Sequence, residues 1–441
     1  MEDYITRGKN LKLLRKRLGL KQYEITGGEI TRNLISLIEN DKTPLHEGTA
    51  RLISENINKI SEERNMDIYI YPEDLLNPMR LTAKRAADEY IIEIKTYLED
   101  NEKEIDKGLL EEMEMFLKKW NLPDKKAKAY ELLGDIYKEK KCHEKVYMYY
   151  TKSLENYFLK PYKKDIHKLI LKLVSVCIHT RRYDEAINLS NLALTYADNM
   201  NEEELASVHF NKALVYTYIK HYDKALIELK NTEESTNEGD TERIIDILIL
   251  RANTYSLRGI NDKALEIYKK VSEMLLDSED YEEICKTYLN IVQIYQRKGN
   301  KEQIDEYIPK IENLLINIEK DSDSRTRIYL ELARIYNNNN EFLLSERNYK
   351  EALRSSKVNN DIDLTYEILI ELIDLYKEEK DDEGIQAITK TVKDYILNIE
   401  LDNSVVLLLR FLLLNINENK TIEVKNTIKE LLNKGDINNE N

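Results

Sequence analysis

The chain has 441 residues, 34% charged and 42% hydrophobic, with only 12 glycines and six prolines. That balance excludes a disordered chain, and so few turn residues argue against sheets and tight hairpins, leaving helices joined by short connections. A net charge of −15 excludes bulk affinity for nucleic acid. Residues 1–45, however, carry nine Lys/Arg against six Asp/Glu, so a locally basic head sits on an acidic body and is compatible with DNA contact.

In chain order, residues 6–64 read as a cluster of short helices. Gly8 to Leu18 places Leu11, Leu14 and Leu18 on one face, surrounded by Lys9, Lys12, Arg15, Lys16 and Arg17, and Gly19 ends it. A short helix is expected over Lys21–Thr26, followed by Gly27 and Gly28. Thr31 suits an N-cap for a helix whose core face is Leu34, Leu37 and Ile38. Asn40 to Pro44 reads as a loop, and a longer helix over about Glu47–Arg64 closes the unit. Tyr69 to Tyr71 reads as a brief extended piece before a short helix opening at Pro72. Residues 80–120 read as one or two long, heavily charged helices.

From about residue 127 the sequence repeats. Tyr137, Cys177, Tyr216, Tyr255, Tyr295, Tyr336 and Tyr376 fall 40, 39, 39, 40, 41 and 40 residues apart. Nine residues after each stands a mostly small or β-branched residue: Val146, Ala186, Ala225, Ala264, Ile304, Ser345 and Ile385. A polar or helix-breaking turn lies between, such as Lys220 to Asp223. The third unit (His209, Lys212, Ala213, Tyr216, Ala225, Leu229, Thr232) and the fourth (Leu248, Arg251, Ala252, Tyr255, Ala264, Tyr268, Val271) resemble the tetratricopeptide repeat. Two departures are a period near 40 rather than 34 and the missing terminal proline. The physical logic is a Tyr packing against a small residue of its partner helix, so that the two axes approach closely. The resulting organisation is a head at 1–78, linker helices at 79–126, about seven repeats at 127–400, and a capping helix with a polar tail at 401–441, where Ile422, Ile428, Leu431 and Leu432 are apolar. The fold class expected is all-α: a small helix-turn-helix domain followed by a right-handed superhelical solenoid.

In the head, Gln22 and the run Ile35-Ser36-Leu37-Ile38-Glu39 resemble the phage-repressor-type helix-turn-helix, one residue shorter than usual and with Gly27-Gly28 where the second helix would continue. A capped helix presenting Thr31, Arg32, Asn33 and Ser36 at its start can enter the major groove. Arg32 suits guanine, and Asn33 suits adenine or a phosphate. Lys21 and Gln22, at another helix start, suit phosphate contact, and Lys42 adds electrostatics with Lys12, Arg15 and Lys16.

In the repeats, the helical face opposite the signature positions gives Phe210, Asn211, Leu214, Ile249, Asn253, Ser256, Leu289, Asn290, Gln293, Leu330, Arg334 and Asn337. Carboxamides here suit the backbone of an extended peptide, apolar neighbours its side chains, and Arg334 a carboxylate. The peptide-binding residues expected are therefore Phe210, Asn211, Asn253, Asn290, Gln293 and Arg334.

The combination of this head with these repeats resembles the peptide-responsive RRNPP regulators (Rap, Rgg, NprR, PlcR and PrgX types). The resemblance implies a homodimer, a signalling oligopeptide in the groove and peptide-dependent binding to double-stranded DNA, that is, a quorum-sensing transcription regulator. Two other readings stay open: a modulator that binds or dephosphorylates a response regulator, and a protein-protein scaffold.

No P-loop, dinucleotide fingerprint or HExxH motif is present, and the six histidines are scattered, so neither an enzyme, a cofactor nor a metal is expected. His209, at a packed repeat position, is expected as a satisfied histidine. Cys142, Cys177 and Cys285 lack paired spacing and read as small buried residues of a reduced, cytoplasmic protein. The acidic start Met1-Glu2-Asp3, without an apolar stretch, leads us to expect no signal peptide. Val405 to Leu414, interrupted by Arg410, is too short to span a membrane.

Overall fold

A computed structural model describes residues 5–391, apart from 65, 67, 100–104, 160–164, 238, 277–278, 321, 360 and 389–390. The expected capping helix at 401–441 lies outside the described residues. Among those described, regular structure is entirely helical, with no strand and no helix long and apolar enough to cross a membrane. The Tyr69–Tyr71 piece pairs with nothing, because Asn58 binds both backbone groups of Ile70, at 2.8 Å each. Two compact units divide the chain at Glu238 and Gly239.

The first unit begins with α1 (Arg7–Arg17), α2 (Arg32–Glu39), α3 (Glu47–Glu63) and α4 (Pro72–Leu76), which share a core of Leu11, Ile25, Ile35, Ile38, Leu45, Ile53, Ile57 and Leu75. Gly8 lets α1 lie directly on the end of α2, because a Cβ at Gly8 would fall 1.9 Å from the Ile38 carbonyl oxygen. The helix expected over Lys21–Thr26 shrinks to a single 3-10 turn at Glu24–Thr26. Gly27 (φ 58°) and Gly28 (φ 84°) reverse the chain there, which cuts the helix off after one turn although the Glu24 carboxylate takes the Lys21 backbone N–H as at a helix start. The charged region 80–120 forms α5 (Pro78–Glu99) and α6 (Lys107–Trp120).

Three helical hairpins complete this unit: α7 (Pro123–Glu139) with α8 (His143–Phe158), α9 (Ile166–His179) with α10 (Tyr183–Leu194), and α11 (Glu202–Tyr218) with α12 (Tyr222–Glu234). The second unit holds α13 (Thr241–Leu257) with α14 (Asn261–Leu276), α15 (Tyr281–Lys298) with α16 (Lys301–Leu314), α17 (Asp323–Asn338) with α18 (Phe342–Val358), and α19 (Ile362–Glu378). The repeat-marking residues all stand near the end of a hairpin's first helix. Nine residues on, Val146, Ala186, Ala225, Ala264 and Ser345 are completely buried, as close packing of two axes requires.

One local device recurs with the period. In all seven units the residue four after the marker takes a left-handed conformation: Lys141, Arg181, Lys220, Gly259, Gly299, Asn340 and Lys380, with φ between 55° and 86°. The next N–H then donates back to the marker's carbonyl, as in His221 to Tyr216 (2.8 Å) and Asn300 to Tyr295 (3.0 Å). This is the Schellman closure, which satisfies helix-end carbonyls and redirects the chain into the second helix. Lysine and arginine adopt this conformation at a cost that stacking overrides, whereas glycine does so freely. Replacing Gly259 with Ala meets no neighbouring atom within 4 Å, so its effect isolates the backbone. Gly259→Ala is expected to cost about 1 kcal/mol in denaturant unfolding. An unchanged midpoint would show that the turn carries no such strain.

The cysteines divide. Cys177 and Cys285 are buried, and burial pushes both thiols up to about 12. Cys142 is exposed, contrary to the sequence expectation, because it occupies the turn that enters α8 rather than a packed helix face. His209 packs as expected, with Nδ1 2.7 Å from Glu228. Burial pushes the Glu228 carboxyl up, but hydrogen bonds from His209 and Lys212 leave it below its ordinary value.

Candidate nucleic-acid interface and repeat-face cleft

Thr31 caps α2 through its hydroxyl, which accepts the Leu34 N–H at 3.3 Å. Beyond the cap, the Arg32 and Asn33 side chains are exposed and hydrogen-bonded to nothing among the described residues, while Ile35 and Ile38 face the core. Leu37, expected on that face, is 41% exposed, because the α2 face that packs is one residue along from the one expected. Ser36 is half-buried. Lys42 is exposed just past the helix end, where Asp41 is left-handed and the Lys42 N–H returns to the Leu37 carbonyl at 2.9 Å. Lys12 reaches Asn40 at 3.4 Å, which brings one α1 cation beside that end.

The helix is held from behind by a buried ionic node. Arg15 meets Glu39 at 2.5 and 3.0 Å and donates to the Leu20 carbonyl at 2.7 Å. Gln22 adds a bond to the same carboxylate at 2.8 Å. Burial pushes the Glu39 carboxyl up, but the bonds from Arg15 and Gln22 outweigh it and leave the group below its ordinary range. Two expectations change as a result. Gln22 is half-buried and braces Glu39 instead of opening a helix toward a phosphate. Arg15 is a core residue rather than a surface charge, because a guanidinium this close to a buried carboxylate is worth more paired than solvated. Lys21 remains exposed, although no α-helix starts beside it.

On the repeats, the same arithmetic that locates the hairpins locates a polar ladder. Residues two before a marker meet residues five before the next marker. Asp135 takes Lys172 at 2.9 Å, Gln293 donates to Glu331 at 2.9 Å, and Arg334 donates through Nε to Glu371 at 2.9 Å. A second-helix tyrosine braces several of these positions. Tyr150 binds Asp135 at 2.6 Å, Tyr268 binds Asn253, and Tyr349 binds Glu371 at 3.0 Å.

This ladder corrects the groove expected from sequence. Arg334 is clasped by Glu331, Glu367 and Glu371, so it is not an open carboxylate receptor. The hydrogen bond to Glu371 is the largest influence, and together these acids hold the guanidinium further above its ordinary value despite burial. Asn253 and Gln293 are likewise engaged, with Tyr268 and Glu331. Phe210, Asn211 and Asn290 are half-buried on α11 and α15. The acidic partners Glu331, Glu367 and Glu371 stand at no signature position, although Glu331 and Glu371 keep a fixed offset from the markers, whereas Tyr268 is itself a signature residue.

A cleft of about 650 Å³ opens beside the ladder in the second unit, lined by Gln293, Gln296, Arg297, Lys301, Glu331, Arg334, Asn338 and Asn339 among others. Gln296 donates to the Ile335 carbonyl at 3.3 Å, and Arg297 binds the Ser256 hydroxyl.

No family model matches the chain, and no curated protein matches it. Solved structures to which it is similar include a tetratricopeptide repeat protein from Parabacteroides merdae (16% identity, 64% of this chain and 99% of that one, TM-score 0.46). A Rap protein complexed with competence and sporulation factor aligns at 12% identity over 78% of this chain and 92% of its own, with TM-score 0.45. The apo quorum sensor NprR from B. thuringiensis aligns at 15% identity over 75% and 98%, with TM-score 0.43.

Proposed function

We propose that the chain is a transcription regulator that reads double-stranded DNA with α2 and takes a signalling oligopeptide on its repeat face. The observation that carries this reading is the capped helix α2. It offers Arg32 and Asn33 to solvent at its N-terminal end while Glu39, at its far end, is anchored in the core by Arg15 and Gln22. A helix so braced presents base-reading side chains without losing their order on binding. The regulator works in the cytoplasm as a homodimer, whose two heads read the halves of a palindromic site. The repeat-face cleft, rather than the occupied Arg334, receives the peptide, which shifts the population of DNA-competent dimers.

Genome-wide mapping of bound DNA, followed by titration of the recovered site at several salt concentrations, tests this. A preferred palindrome with a steep salt dependence is expected. Arg32→Ala is expected to weaken the recovered site by about 1–3 kcal/mol and to relax sequence preference at the base that it contacts. Equal affinity for the recovered site and random duplex would refute the reading.

A further inference from the structure

In the first unit, the edge where first helices end is closed by stacked rings. The residue six after one marker lies on the residue two after the next. His143 stacks on His179 with centroids 5.6 Å apart, and Tyr183 stacks on Tyr218 at 5.6 Å. In the second unit the corresponding pair between α16 and α17 is Lys301 and Asn338, and the cleft opens beside both. Ring contact is replaced there by hydrogen-bond donors. Lys301 is exposed and makes no ion pair among the described residues. The Asn339 Nδ2 is buried with no acceptor, although a buried donor ordinarily has one. Arg297 adds a second exposed cation. Glu331, the only acid in the lining, is already engaged by Arg334 and Gln293.

We infer that this cleft binds a carboxylate carried by an oligopeptide, with Lys301 supplying the charge and Asn339 a directed N–H. The inference rests on the peptide reading of the repeat face and names the chemical group recognised there. A carboxylate satisfies both features at once: it accepts charge-assisted bonds, and it supplies the acceptor that Asn339 lacks. The cleft is also within the size range of about 300–1,000 Å³ typical of ligand sites. Two sources of the group are possible chemically, the peptide C-terminus and an Asp or Glu side chain, and the test separates them.

The full chain would be titrated with three random heptapeptide pools carrying a neutral, carboxylate-free N-terminal fluorophore: free-acid peptides without Asp or Glu, the same peptides amidated, and amidated peptides containing Asp and Glu. Binding of the first or third pool at least about tenfold tighter than the second is expected, as for a hydrogen-bonded charge. The first identifies the terminus and the third the side chain. Lys301→Glu should abolish that preference, and Lys301→Arg should keep it. Because Lys301 is the first residue of α16, where an acid favours the helix, loss of binding in Lys301→Glu would not reflect unfolding. Equal binding of acid and amide pools would overturn the carboxylate site and leave the peptide reading standing. Failure of all three pools would overturn both.

Discussion

Glu39→Ala is expected to destabilise the head by about 3–5 kcal/mol and to abolish specific DNA binding, because it strands a buried guanidinium. Arg15 and Glu39 are 9% and 2% exposed, so water cannot replace the lost partner. Gln22 loses its acceptor in the same step. A loss of this size is comparable with the whole stability of many small domains. Hydrogen exchange across residues 32–39 of the full chain provides the measurement, since it separates the head from the repeats. The replacement Arg15→Met with Glu39→Leu is expected to recover most of the stability, as buried pairs often tolerate apolar substitution as a unit. Native-like protection in Glu39→Ala would show that the pair does not hold α2. The sign with pH follows from the lowered Glu39 carboxyl. Its contribution is fully present above its ordinary value of about 4.5 and is lost as pH falls through the lower folded value, so protection of α2 should fail below pH 4.5 in the wild type and not in the apolar double variant.

Asp74→Ala is expected to have an effect of similar size, about 3–5 kcal/mol, at the joint between head and linker helices. Asp74 is completely buried, with Arg80 Nε 3.0 Å from one carboxylate oxygen and Lys84 bound to the other. Its own carbonyl accepts from Asn10 of α1 at 2.9 Å, and Arg80 continues to the Asn121 carbonyl at 2.8 Å. The carboxylate thus ties α4 to α5 and, through Arg80, to the end of α6, while the bond to α1 is made by the Asp74 backbone; Arg80 and Lys84 also lie over the Tyr71 ring. Removing it leaves two cations with no carboxylate in contact among the described residues except Asp124, 3.9 Å from Lys84. Trp120, the sole tryptophan, lines a cleft with Arg7, Arg80 and Lys119 at this joint, so its emission reports directly. A red shift with faster exchange at the start of α5 is expected for Asp74→Ala, and a smaller change for Asp74→Asn, which keeps the shape without the charge. Unchanged emission in both would show that the joint is held by apolar packing alone.

The two nodes bear on function through rigidity. If peptide binding on the repeats is to alter DNA binding, the change must pass a joint that moves as a body, and Asp74 supplies one at the head. This gives the regulator reading a physical requirement: Asp74→Asn should weaken the effect of a peptide on DNA affinity more than it weakens DNA affinity itself.

How much of this the sequence determined follows from the range of the interactions concerned. The helical class, the hairpin spacing and the Thr31 cap depend on contacts within a few residues or on a strict period, and both are written linearly. The core face of α2 was not, because the apolar run Leu34 to Ile38 fits two faces and packing chose Ile35 over Leu37. The left-handed residues were harder to see, because five of the seven turns use lysine, arginine or asparagine where glycine would have announced the conformation. What only the tertiary structure decided is which polar side chains are already spent. Arg334 looked available and is held by carboxylates 3, 33 and 37 residues away, while Gln22 and Arg15 looked superficial and converge on Glu39, 17 and 24 residues away. A charge looks the same in sequence whether water or another charge satisfies it, and only the packing of distant helices settles which.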